Sequence, residues 1–188
     1  MTDIEKIILT AIDLAKRFKH EYVTIEHLTA VVLDDEQVRS MCYEVSADYE
    51  GLQSALLEYL NSECTELVGD PLEEPTPKKT QMLERVFNRA LTQALFQGKK
   101  AINQLDLVLS ILSEDRSTSA IYAEQMGLTK SKVLSWITDS FFGSEEIPGS
   151  SQDSFDTSGY GEYHAFNPYA AYVGVNPNVS ATKKSDKK

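Results

Sequence analysis

Hydrophobic positions along this chain recur every three or four residues, the spacing of a helix with one buried side. In the first segment Ile4, Ile7, Ile8, Ala11, Ile12, Ala15 and Phe18 form such a stripe, while Lys6, Asp13, Lys16 and Arg17 take the wet side. The stretch from His20 to Leu33, HEYVTIEHLTAVVL, joins two helical faces through a short break. Thr24 is a good N-cap there, because its hydroxyl can accept a hydrogen bond from one of the first free backbone N–H groups of the next helix. Glu26 falls in the first turn, where the helix dipole favours a carboxylate, and Ile25, Leu28, Val31 and Val32 make the apolar side. This second helix breaks at Asp34-Asp35. A third, short helix holds Val38, Met41, Cys42 and Val45; Asp48 caps a fourth, marked by Leu52, Leu56, Leu57 and Leu60. No segment alternates with period two, so no sheet is expected.

From residue 61 to 79 the pattern stops, and NSECTELVGDPLEEPTPKK, with three prolines and a cluster of acids, reads as a linker. Beyond it the plan repeats. A shift of 79 lays Ile4, Ile7, Ile8, Ala11, Ile12 and Ala15 on Leu83, Val86, Phe87, Ala90, Leu91 and Ala94, and Thr24, Leu28, Val32 and Leu33 on Asn103, Leu107, Ile111 and Leu112. The last helices match after a further shift of two, Leu56 and Leu60 against Val133 and Ile137, with Thr129 as the second cap. A unit of about 60 residues leaves much apolar surface wet, and each fully buried Leu or Ile contributes about 1.5 to 3 kcal/mol, so the two copies are expected to dock. The predicted fold is all-α, eight helices in two tandem four-helix repeats related by a pseudo-twofold axis. It occupies residues 1–142, with repeats at about 2–60 and 80–140, and Trp136 closes the second core. Residues 143–188, rich in Gly, Ser, Asn and Tyr without helical period, have the composition of a disordered tail, although the central YGEYHAFNPYAAYVGV is aromatic enough to be a docking segment.

Charge narrows the partners. A formal net of −11 and a pI near 4.7 disfavour nucleic-acid phosphates and anionic membranes, which leaves proteins. No apolar run approaches the roughly 20 residues of a membrane span, and the N-terminus has a helical period rather than a signal-peptide pattern, so a cytoplasmic location is expected. Cys42 and Cys64 read as reduced thiols.

Candidate chemistry is sparse. The chain lacks G-x-x-x-x-G-K-[ST], G-x-S-x-G, H-E-x-x-H and a kinase-type catalytic loop, so no enzyme activity and no cofactor are expected. A zinc site made of His20, Glu21 and Cys64 is conceivable, since zinc takes N, O and S ligands, but the spacing does not constrain it. His27 reads instead as a packing residue whose ring nitrogen bonds across the break.

The run T-x-E-H-L, preceded by a helix ending in H-E-Y and accompanied by the internal duplication, resembles the N-terminal domain of the Clp unfoldases, in particular the ClpA type, over roughly residues 2 to 140. The resemblance extends to T-x-x-x-x-R-V-x-x-R-A at Thr80 to Ala90. It implies that Glu21, Glu26, Thr80 and Arg85 form an exposed polar patch facing a ClpS-like adaptor protein. In the ClpC branch the acid matching Glu26 helps bind phosphoarginine together with an acid in the second repeat; here Leu105 stands opposite Glu26, and that paired site is broken. The functional expectation is a stand-alone, non-catalytic module, without metal or cofactor, that engages an adaptor, a substrate or the unfoldase of a Clp system. The alternative is an assembly scaffold whose Tyr-rich tail contacts a partner.

Overall fold

The computed structural model describes residues 3–69 and 77–142; the middle of the expected linker and the whole of the expected tail lie outside the described residues. Among the described residues there are eight α-helices: α1 Asp3–Arg17, α2 Ile25–Leu33, α3 Glu36–Glu44, α4 Tyr49–Ser62, α5 Gln81–Phe96, α6 Gln104–Ile111, α7 Thr118–Gln125 and α8 Lys130–Phe142. They begin where side chains can serve free backbone donors. Asp35 accepts from the N–H groups of Gln37 and Val38, Asp48 from Gly51, Thr80 from Leu83, Asn103 from Asp106 and Ser117 from Ala120.

The two short helices α2 and α6 are the centre of the molecule. Eight of the nine residues of α2 and seven of the eight of α6 are buried, polar ones included, as a helix packed on all sides requires. Helix α2 packs against α1, α4, α5, α6 and α7, so one core draws on both halves of the chain, from Ile7, Ala11 and Leu28 through Leu56 and Val86 to Leu107 and Ile137. Buried hydroxyls stay bonded inside it. Thr29 donates to the Ile25 carbonyl (2.7 Å) and approaches Ser119 of α7 (2.9 Å), and Ser110 donates to the Val86 carbonyl (2.8 Å).

Three details differ from the sequence-based expectation. A two-residue parallel pair, β1 Tyr22–Val23 with β2 Lys78–Lys79, replaces the expected absence of strands, and an isolated antiparallel bridge joins His20 to Val68. Segments this short carry no period-two signal; their backbone groups pair because burial of Val23 leaves them little water. The described ends of the expected linker also carry structure, with α4 running to Ser62 and a 3₁₀ turn at Thr65–Leu67. Trp136 is only half-buried, and its indole N–H donates to Glu44 of α3 (2.7 Å), so it ties α8 to the first half rather than closing a core within the second.

Candidate partner-binding surface

The break between α1 and α2 is held on both sides by backbone hydrogen bonds. On one side the Glu21 N–H donates to the Leu67 carbonyl (2.7 Å) and the Gly69 N–H to the Lys19 carbonyl (2.9 Å). On the other, the Lys78 N–H donates to the Glu21 carbonyl (2.8 Å) and the Thr80 N–H to the Val23 carbonyl (3.2 Å). Glu21 and Thr80 are thereby brought onto one surface, although 59 positions separate them in sequence. Glu21 is exposed, with its stem over Gly69, where an added Cβ would lie only 2.8 Å from Glu21 Cγ. Thr80 caps α5, accepting from Leu83 (3.2 Å), so its hydroxyl is already engaged.

The other two residues of the expected patch behave differently. Glu26 is 8 % exposed, a correction to the expected open helix-start acid. Its carboxylate lies close enough to Tyr59 and Cys64 of the α4 end for its charge to act on both, and burial, reinforced by that charge, pushes the Cys64 thiol up. Arg85 forms a two-pronged ion pair with Glu114, 3.0 Å from Nε and 2.9 Å from an Nη, and Arg89 holds the same carboxylate at 2.6 Å. Hydrogen bonds from Arg85 and Arg89 keep Glu114 below the usual carboxylate range. Arg85 is therefore tied to the loop after α6, not to Glu21 or Glu26. Sequence reasoning overlooked the exposed Lys78 and Lys79, whose backbone pairs with Tyr22–Val23 next to Glu21 and whose signal was the K-K-T run immediately before a helix cap.

Beneath this surface the two buried histidines form a relay. The Thr24 N–H lies 3.1 Å from His27 Nδ1, and since a backbone N–H can only donate, Nδ1 is the acceptor and the proton sits on Nε2. Nε2–H then donates to His20 Nδ1 at 3.0 Å, and the Thr24 hydroxyl, 2.9 Å from His27 Nδ1, adds a second donor. Here His27 takes the place that Glu or Gln holds in an ordinary capping box, and it does bond across the break as its position suggested. Burial lowers the His20 pKa; burial and the adjacent His20 lower that of His27 to about 3. The conceivable zinc site does not assemble. Among the described residues no three of His, Cys, Asp and Glu are grouped to hold an ion, and His20 Nδ1 is occupied by His27. Leu105, opposite Glu26, is fully buried.

A buried pair of central helices wrapped by the others, with the polar break between α1 and α2 at the surface, defines an all-helical domain. The chain belongs to the Clp repeat (R) N-terminal domain family, whose profile matches residues 2–131. That family is a set of non-catalytic protein-binding domains of the Clp/Hsp100 unfoldases. A ClpA homolog protein from Fuscovulum blasticum is 24 % identical over 134 residues, a match that covers 71 % of this chain and 17 % of that protein. Among solved structures, the fold is similar to the Hsp104 N-terminal domain from Candida albicans (TM-score 0.61, 15 % identity, 74 % of this chain and 89 % of that one). It is also similar to a chain from structural investigations of a malarial protein secretion system (TM-score 0.63, 12 % identity, 77 % and 95 %).

Proposed function

We propose that this domain binds a ClpS-like adaptor, or a substrate segment delivered to a Clp unfoldase, on the surface around Glu21, Thr80 and the first turn of α2, and that it does so without catalysis. The reading entails a cytoplasmic location; no described helix is long and apolar enough to cross a membrane. The observation that supports it most is the parallel pairing of Tyr22–Val23 with Lys78–Lys79, which gives Glu21, Lys78, Lys79 and Thr80 one rigid backbone frame. Glu21 acts as an exposed acid for a partner cation, while Glu26 offers a carboxylate edge from a largely dry site, where loss of a charge contact costs 2 kcal/mol or more. Arg85 contributes through its exposed guanidinium edge while remaining paired with Glu114.

The test is titration of a purified ClpS-like adaptor into the full chain and into Glu21→Lys and Glu26→Gln. Binding by the parent, at least tenfold weaker binding by each variant and unchanged thermal melts for Glu21→Lys support the proposal. Equal affinities across the three proteins reject this surface, and no binding by the parent rejects the adaptor.

A further inference from the structure

The corner where α7 ends and α8 begins repeats the corner between α3 and α4, 81 positions earlier. The Leu128 N–H donates to the Ala123 carbonyl (2.8 Å) as the Ala47 N–H does to that of Cys42 (2.9 Å), and left-handed Gly127 stands where Ser46 does. Lys130 is then the first residue of α8 as Tyr49 is of α4, and Glu124 takes the place of Tyr43. In the first half the two tyrosine rings close this corner. Their centroids are 5.9 Å apart, and Tyr49 is only 8 % exposed. The Tyr49 hydroxyl donates to Asp34 in the turn before α3 (3.3 Å), and the Arg39 guanidinium lies 5.3 Å over the centre of the ring. In the second half an acid and a cation replace both rings.

At this second corner there is an opening of about 370 Å³. Leu112, Ala120 and Leu128 give it apolar walls, while Asp115, Glu124 and Lys130 bring charge to it. Such a volume is at the small end of the range for ligand sites and suits a single ring with short substituents. Asp115 belongs to the loop before α7, as Asp34 belongs to the turn before α3, so the acceptor that Tyr49 uses has a counterpart here. Lys130 is half-buried: burial lowers its pKa, the charge of Asp115 raises it and that of Arg89 lowers it again. A ligand carboxylate beside this ammonium offsets its desolvation through a charge-assisted hydrogen bond. Glu124, exposed at the mouth, asks for the opposite sign. With two acids and one cation in the lining, a simple anion is repelled, whereas a zwitterion satisfies both signs at once.

We propose that this opening binds a free aromatic amino acid of the tyrosine type. Its ring lies as the Tyr49 ring lies in the first half, its hydroxyl donates to Asp115, its carboxylate meets Lys130 and its ammonium meets Glu124. None of Glu21, Glu26, Thr80 and Arg85 lines the opening, so the site stands apart from the adaptor surface. The experiment is amide NMR on the full chain titrated with L-tyrosine to about 2 mM, since a ligand of this size binds with a dissociation constant on the order of 1 mM. The amides of Ala120, Leu128 and Ser131 should shift and saturate. Phenylalanine lacks the hydroxyl, tyramine the carboxylate and N-acetyltyrosine the ammonium, and each should bind at least about fivefold more weakly. Lys130→Gln should remove the preference for tyrosine over tyramine. The double variant Glu124→Tyr, Lys130→Tyr copies the first corner into the second and should bind no tyrosine, with its fold checked by the thermal melt. An absence of saturable shifts in the parent overturns the proposal. So does equal affinity of the parent for tyrosine and any one of the three analogues, or a preference for tyrosine over tyramine that survives Lys130→Gln.

Discussion

The two turns that lead into the central helices have almost the same backbone and quite different side-chain chemistry. At the end of α1 the His20 N–H donates to the Ala15 carbonyl, and at the end of α5 the Lys99 N–H donates to the Ala94 carbonyl, both at 2.9 Å. In each turn the residue before is left-handed, Lys19 at φ 58° and Gly98 at φ 72°. In each, the side chain three residues after the N-cap accepts from the N-cap N–H, His27 from Thr24 at 3.1 Å and Asp106 from Asn103 at 3.0 Å. The residue eight places after the left-handed position, 19 or 98, thus closes the turn, and its partner is His20 in one case and Lys99, 2.8 Å from Asp106, in the other. A neutral imidazole pair and a buried ion pair therefore solve one geometric problem. What the geometry demands is an acceptor for the cap N–H and a partner for the acceptor's far side; it is indifferent to charge.

The comparison can be broken most sharply at Asp106. Its side chain is wholly buried and serves both the Asn103 N–H and the Lys99 ammonium, so Asp106→Ala should cost about 3 to 5 kcal/mol in chemical denaturation. A loss under about 1 kcal/mol would mean that the ion pair does not hold the turn. Next come Leu28 and Leu107, 79 positions apart and both with no exposed surface. Each change to Ala should cost about 2 to 5 kcal/mol, and costs that differ by more than about 2 kcal/mol would show the two central helices to be unlike in packing.

Acid should separate the two turns. Both histidines titrate lower in the folded chain than their ordinary value of 6.5, so the unfolded chain binds more protons as the pH falls below that value. The contribution is complete above about 6.5 and is lost as the pH drops toward 3, at up to about 1.4 kcal/mol per pH unit for each withheld proton. Chemically, a proton on His27 Nδ1 meets the Thr24 N–H head-on, and one on His20 Nδ1 meets the His27 Nε2–H. The double variant His20→Lys, His27→Asp copies the second turn into the first. It should flatten the dependence of unfolding free energy on pH between 6.5 and 5, and an unchanged slope would acquit the histidines.

The smallest expected effect concerns the other pair of left-handed residues, Ser46 at φ 56° and Gly127 at φ 80°, which end α3 and α7. The left-handed conformation costs an L-residue roughly 1 to 2 kcal/mol, partly offset by the entropy that glycine loses on folding. Ser46→Gly should therefore raise stability by about 0.5 to 1 kcal/mol, and a destabilised variant would show that Ser46 makes a contact worth more than its strain.

These pairs also explain what could be read from the residues alone. The eight helices and the caps at Asp48 and Asn103 were legible because each depends on side chains within four residues of the group they serve. Glu26 was misjudged because it is set against distant chain, near enough to Tyr59 and Cys64, more than 30 positions away, for its charge to act on both, whereas local charge placement favoured an exposed acid. Arg85 was seen as free for the same reason, its partner Glu114 standing 29 positions on. The strands left no trace at all, since a two-residue pair is held by what lies on either side of it rather than by its own composition.

The strand Tyr22–Val23 is held by chain that comes much later, and closing that contact has an entropic cost. Residues 20–23 cannot complete their hydrogen bonds until the polypeptide has returned first through Leu67 to Gly69 and again through Lys78 to Thr80. The second closure spans 56 positions, from Tyr22 to Lys78, at an entropic cost on the order of 3 to 4 kcal/mol by the logarithmic loop law. Helices α1 to α4, built from near neighbours, have no such delay. Their apolar faces are covered by α5, α6 and α7, and the start of α5 is aligned by that pairing, because Thr80 both ends it and begins the helix. The pairing thus couples the two halves of the chain: the break at residues 20–23 has its full set of backbone partners only when the chain as far as Thr80 is in place.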